Sequence, residues 1–226
     1  MGKEADMKAK IYQEAITYVR DNHAQEIDSA YTYFWDEQQP DELMGGVALE
    51  LGFINFEDWL LCDFKAGDQK ESFLAIYARK RESSLAEGEK GVIEKLTGSV
   101  LSLYEVSSVS MDKHVKLKDL LMGGELSLRE KGLTRGLKKG DIFATRTLKL
   151  DGNDTMSGCV YPYKPEQKQS VLSKIDKQFS RYVRNVKKDG TMREYLKDYG
   201  DVFNIIWMSF ICDQIQADDE PPPAQQ

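Results

Sequence analysis

The chain of 226 residues contains only two histidines, His23 and His114, so the side chain that most often serves as a general base is scarce. Nucleophilic catalysis needs such a base within reach of a serine or cysteine. His23 falls near the end of a helical pattern, and His114 follows Lys113 at a turn. Neither has a Gly-x-Ser-x-Gly turn beside it, and both read as surface histidines. Cys62, Cys159 and Cys212 are far apart and lack the spacing of a zinc or redox motif. Each has apolar neighbours and reads as a small buried hydrophobe in a reducing cytoplasm. Asp151, Asn153 and Asp154 look like the start of a calcium loop, but the remaining ligand positions are missing. The glycines at 132, 136 and 140 lack the spacing of a phosphate cradle. No metal and no cofactor is assigned.

Carboxylates are the remaining candidates. Glu57, Asp58 and Asp63 surround Trp59 and Phe64, and paired acids beside aromatic rings can do acid–base work on sugars or phosphates. Glu57 and Asp58 equally suit the first turn of a helix capped by Asn55, where the dipole favours negative charge. Asp63 is the odder residue, set between Cys62 and Phe64; the favoured reading is a buried acid hydrogen-bonded to a helix end.

The elements that must position these residues change character along the chain. Ile11, Ala15, Tyr18, Val19 and Ile27 predict an amphipathic helix over 8–27. A second helix runs from Ser29 to before Pro40 and a third begins at Asp41, weakened by Gly45-Gly46; two more cover 72–81 and 85–96. From residue 98, β-branched and aromatic residues replace helical spacing, and five short strands are expected by 162, among them 142–150 and 155–161 joined at Asp151-Gly152. A helix opened by Pro165 runs to about 188, Thr191 caps another, and the last spans 202 to about 216. The fold expected is α+β: a helical segment over 1–97, a small curved antiparallel sheet or partial barrel over 98–162, and C-terminal helices over 163–216 packing back. An acidic, proline-rich tail over 217–226 is expected to be disordered.

Charge is segregated. Residues 1–63 hold four Lys/Arg against fourteen Asp/Glu, whereas 113–149 and 164–197 each hold ten against four. Arg129, Lys131, Arg135, Lys138, Lys139 and Arg146 of the sheet, with Lys177, Arg181, Arg184, Lys187 and Lys188 of the long helix, could form one basic face for phosphate backbones. The favoured alternative sets the basic segments against the acidic half or simply in solvent. The formal net charge of −7 argues against a dedicated DNA-binding protein. Charged residues near the N-terminus leave no signal-peptide core there. The longest apolar stretch, 202–212, is too short to span a bilayer, so a cytoplasmic protein without a membrane segment is expected.

The segment Phe56-Glu57-Asp58-Trp59-Leu60-Leu61-Cys62-Asp63-Phe64 is followed by Leu103-Tyr104-Glu105-Val106, by Val115 to Leu121, and by Gly140-Asp141 with Ala144-Thr145-Arg146. Together, over 56–158, they resemble a group of bacterial proteins that often end in a cysteine-rich SEC-C metal-binding motif. The resemblance implies a fold arrangement and a prokaryotic or phage source. The chain departs from that group in having no C-terminal cysteine cluster, so zinc binding is not carried over.

The leading functional reading is a non-enzymatic interaction module that binds another protein or itself. Self-association would use the apolar last helix through Phe203, Trp207 and Phe210. The alternatives are a nucleic-acid-binding protein using the basic face, and a carboxylate-dependent hydrolase around Asp58 and Asp63.

Overall fold

Ile11, Ala15 and Val19 recur every fourth residue on α1 (Lys3–Asn22) and are buried, because that spacing keeps side chains on one helical face. These coordinates, a computed structural model, describe residues 2–67, 70–129 and 131–219, with side chains of the last helix described through Cys212. The chain breaks at His23 and resumes as α2 (Ala24–Phe34). This break lies four residues before the end expected from sequence. Ser29 caps nothing: its hydroxyl donates back to the Gln25 carbonyl at 3.0 Å inside α2, a local bond open to any mid-helix serine.

After the short α3 (Pro40–Leu43), Gly46 adopts φ +54 and opens α4 (Gly46–Cys62). Asn55, expected as a cap, lies inside α4. Its amide donates to the Val160 carbonyl at 2.8 Å and accepts the Val160 N–H at 2.7 Å, which fixes α4 to the sheet. A two-residue ribbon, β1 (Lys65–Ala66) with β2 (Glu71–Ser72), precedes α5 (Phe73–Lys80) and α6 (Glu87–Thr97). Ser72 caps α5 by accepting from the Ala75 N–H.

The sheet comprises β3 (Leu101–Ser110), β4 (His114–Asp119), β5 (Glu125–Leu128), β6 (Ile142–Leu150), β7 (Asn153–Met156) and β8 (Tyr161–Tyr163), with a one-turn α7 (Leu133–Gly136) before β6. Its order β3-β4-β5-β7-β6, with β3 also paired to β6, closes a five-stranded barrel, and β8 joins the free end of β6. The single strand expected over 155–161 is therefore two, split by residues 157–160. The closing β5–β7 contact is parallel, Leu128 against Asp154. Tyr104, Val106, Val115, Leu117, Leu128, Phe143 and Met156 fill the barrel. Alternate residues such as Leu101, Leu103, Ile142 and Ala144 face the helices instead and share one core with α1, α4, α5 and α6.

After a 3-10 turn at Pro165–Gln167, α8 (Lys168–Asn185), α9 (Met192–Asp198) and α10 (Val202–Asp219) pack back. Val171, Ile175, Leu196, Phe203 and Ile206 join the helical core. The fold is α+β, helical at both ends with a small barrel between. Of the segment 217–226 expected to be disordered, residues 217–219 continue α10; residues 220–226 lie outside the described residues. Among the described residues no helix is long and apolar enough to cross a membrane.

Candidate functional site

Arg146 is fully buried, 0 % exposed, on the face of β6 that meets the helices. Its Nε donates to Asp58 Oδ2 at 2.9 Å, its Nη2 to Asp63 Oδ2, and its Nη1 to the Ser99 carbonyl at 3.0 Å. Lys197 of α9 donates to Asp63 Oδ1 at 3.0 Å and to the carbonyls of Cys62 and Ser99. Tyr12 of α1 donates to Asp58 Oδ1 at 2.7 Å. Two acids at the end of α4 thus meet one cation from the barrel and one from α9, and each carboxylate oxygen has a donor. Asp58 and Asp63 are 3 % and 4 % exposed.

Burial by itself would raise the Asp58 pKa. The Arg146 charge and hydrogen bonds from Tyr12, Arg146 and Ser157 outweigh it and hold the carboxyl below its ordinary value. Burial pushes the neighbouring Cys62 thiol up to about 12, and burial likewise raises Cys159. Neither thiol is a nucleophile near neutrality. This charged hub is enclosed and fully partnered, so its chemistry is to hold α1, α4, α9 and the barrel together.

The accessible site lies elsewhere. Helices α8, α9 and α10, with Tyr33 from α2, enclose a groove of about 460 Å³. Buried Tyr182, Tyr195, Val202 and Ile206 line its floor, and Lys174, Lys177 and Arg181 project from α8 along one wall. The rings of Tyr182, Tyr195 and Tyr199 pack in mutual contact, with centroids 5.6–5.7 Å apart. Tyr33 is 58 % exposed; its inner face stacks on Trp59, and its hydroxyl donates to Asp201 Oδ2 at 2.6 Å. Burial raises the Asp201 pKa against the opposing effect of that bond. Asp201 thus places a buried, shifted carboxyl at the edge of this groove, which makes the groove the candidate site.

A second groove of about 870 Å³ follows the other side of α10. Asp28, Asp36 and Glu37 give it an acidic wall, and Tyr33, Ile205 and Ser209 line both grooves. Asp36 and Glu37 take positive φ values of 52 and 62 where α2 ends, and the Glu37 N–H closes that end on the Thr32 carbonyl at 2.9 Å. Ile205, 58 % exposed, stands on the ridge between the grooves.

The basic residues singled out from sequence separate into three sets. Arg129, Lys131, Lys138 and Lys139 are exposed around the barrel loop that contains α7, and Arg135 there pairs with Asp112 at 2.9 Å. Lys177, Arg181, Arg184, Lys187 and Lys188 are exposed on or just beyond α8, where Lys187 pairs with Glu194. Arg146 belongs to neither and is corrected from surface cation to core residue. Its own strand carried the signal: Ile142, Ala144, Arg146, Leu148 and Leu150 share one parity, and that parity faces the helices. With Lys197 it neutralises Asp58 and Asp63, so part of the basic half does meet the acidic half.

The self-association residues are also corrected. Phe203 (0 % exposed) and Trp207 are turned into the core against Tyr161, and Phe210 is half-buried against Tyr163 beneath the Lys174 ammonium. They pack there because β8 presents two tyrosines to α10. Tyr33 and Asp201 were not legible as a pair, being 168 residues apart. His23 and His114 are both partly exposed. Among the described residues no group of three or more His, Cys, Asp or Glu side chains could hold a metal ion.

Residues 55–199 match a family described as a family of unknown function (DUF7986). That span contains Asp58, Asp63, Arg146 and Lys197 of the hub, but neither Tyr33 nor the ridge of α10. No curated protein and no solved structure matches the chain.

Proposed function

The chain belongs to this family, whose description names no activity, and we propose that it is a non-enzymatic interaction module that docks a partner protein on the exposed ridge of α10. The observation that carries the reading is the groove beside the ridge: an apolar floor, exposed Tyr33 and Ile205 at its lip, and Lys177 and Arg181 on one wall. An apolar floor rewards an anchoring side chain by about 25 cal/mol for each Å² removed from water. The cations favour acidic partners and speed their encounter. The occupant that fits is a protein surface with an apolar anchor flanked by carboxylates. Three free cysteines support a reducing compartment, the cytoplasm, as the setting.

Nucleic-acid binding fits less well, because the exposed cations divide between the barrel loop and α8 and the fully buried one is unavailable. Hydrolysis through Asp58 and Asp63 fits less well again, since every oxygen of that pair already accepts from an arginine, lysine or tyrosine donor.

The test uses a fluorescently labelled helical peptide with leucines at i, i+4 and i+7 flanked by glutamates. Its anisotropy should rise on titration with the protein, and Ile205→Glu or Arg181→Glu should weaken binding about tenfold or more. A flat peptide trace from protein that is monomeric at the concentration used would overturn the reading. So would tight binding of labelled RNA that falls steeply with salt and is abolished by Lys138→Glu with Arg184→Glu.

A further inference from the structure

We infer that the surface that docks on α10 is the α10 ridge of a second copy of this chain, packed in parallel about a two-fold axis running along the helix. The inference rests on the docking reading above and names its partner. Positions 205, 209 and 212 are spaced four and three apart, so they form one stripe along α10. Ile205 is exposed, and Ser209 and Cys212 are partly so. The stripe divides surfaces of opposite charge: Lys177 and Arg181 line the groove on one side, and Asp28, Asp36 and Glu37 line the groove on the other.

The other charged groups at this surface are already engaged. Asp201 accepts from Tyr33, and Lys174 donates to Ser209 Oγ at 2.9 Å while lying over the Phe210 ring.

A surface with a ridge crested by exposed Ile205, one cationic flank and one acidic flank is complementary to itself in only one sense. Half a turn about an axis parallel to the ridge carries each cationic flank onto the acidic flank of the other copy, twice in the dimer, and lays ridge on ridge. Half a turn about an axis across the ridge sets cations against cations and acids against acids. Closed two-fold contacts place the same patch on both copies, and like-charge juxtaposition is what excludes wrong pairings. The charges therefore select the parallel arrangement. In it each ridge residue faces its own counterpart, so Ile205 meets Ile205 and Cys212 lies beside Cys212 of the second copy. Helix axes 8–10 Å apart bring such cysteines within disulfide reach. Cys62 and Cys159 are buried, which leaves Cys212 as the thiol available for this report.

The experiment combines sedimentation of the intact protein over a concentration series with diamide oxidation, which removes two electrons and two protons per disulfide formed. A dimer is expected that oxidation converts to a covalent dimer, with the Cys212–Cys212 peptide identified by mass spectrometry and lost in Cys212→Ser. Lys177→Glu with Arg181→Glu should weaken the dimer about tenfold or more. Adding Asp28→Lys and Glu37→Lys to that variant should restore it, because the flanks then complement each other with reversed sign. Restoration separates a docking role from damage to the fold. A monomer at all concentrations, or a dimer with neither the Cys212 crosslink nor the charge-swap rescue, overturns the inference. If the monomer still binds the acidic leucine peptide in a manner sensitive to Ile205→Glu, the docking reading stands and only the identity of the partner falls. If it binds neither, both fall.

Discussion

Arg146 gives up its hydration to occupy the core, and the effective cost of such a transfer is several kcal/mol even after relaxation. Asp58, Asp63 and Ser99 offset it with charge and hydrogen bonds. Arg146→Met would leave Asp58 buried with no cationic partner and Asp63 with Lys197 alone, so a loss of about 3–5 kcal/mol is expected, visible as a lower urea midpoint at unchanged slope. Acid should unpick the same hub. The folded-state pKa of Asp58 lies below its ordinary value, so its contribution is complete above the unfolded value of about 3.9 and is lost as pH falls through the folded value. Asp201 is shifted the other way; its contribution is present in acid and is lost as pH rises through its folded value. Urea midpoints measured from neutrality into acid should therefore fall less steeply in Asp58→Asn than in the parent. An unchanged slope would mean that another carboxylate carries the acid sensitivity.

Among elements, the hairpin between β6 and β7 depends on its turn. Asp151 and Gly152 take φ values of 49 and 75, the left-handed pair that lets a two-residue loop follow the twist of its strands. The Asp151 carboxylate also accepts the Glu4 N–H at 3.0 Å, which ties the turn to α1. Asp151→Val should cost about 1–2 kcal/mol for backbone strain alone, checked by thermal unfolding. At α9, Thr191 accepts the Glu194 N–H while the Glu194 carboxylate receives the Thr191 N–H. Thr191→Ala should cost about 1 kcal/mol, and loss of α9 order would expose Lys197 and weaken its hold on Asp63. Both devices are readable in the sequence, because turn and cap chemistry depends on residues two to four positions apart. Sequence alone did not give the break at His23, since no glycine or proline marks it; rings packed against His23 from Tyr18 and Phe73 hold it in place.

At the scale of the whole molecule, the family match and the folded unit do not coincide. Residues 55–199 omit Ile11, Ala15 and Val19 of α1 and Phe203, Ile206 and Trp207 of α10, all of them in the helical core. They also omit Tyr12, which completes the hub at Asp58. The isolated 55–199 segment should retain strand signal in circular dichroism yet bind a hydrophobic dye and unfold without a sharp transition. A cooperative transition in that fragment would mean that the barrel and its attached helices form an independent core.

The sequence by itself determined the class of fold, most strands of the barrel and their main turn, the cap at Thr191, and the burial of Cys62 and Cys159. These follow from periodicity and from short-range bonds that are complete within a few residues. It also marked Asp63 as a buried acid, because a carboxylate inside an apolar run has few other uses. Only the tertiary structure decided which cation meets that acid, that Arg146 turns inward while the other arginines and lysines named for the basic face stay exposed, and that α10 buries Phe203 and Trp207 but leaves Ile205 outside. These outcomes depend on which faces of distant elements meet. The pairs that decide them, Asp58 with Arg146 and Tyr33 with Asp201, lie 88 and 168 residues apart, and no local pattern fixes a contact at that range.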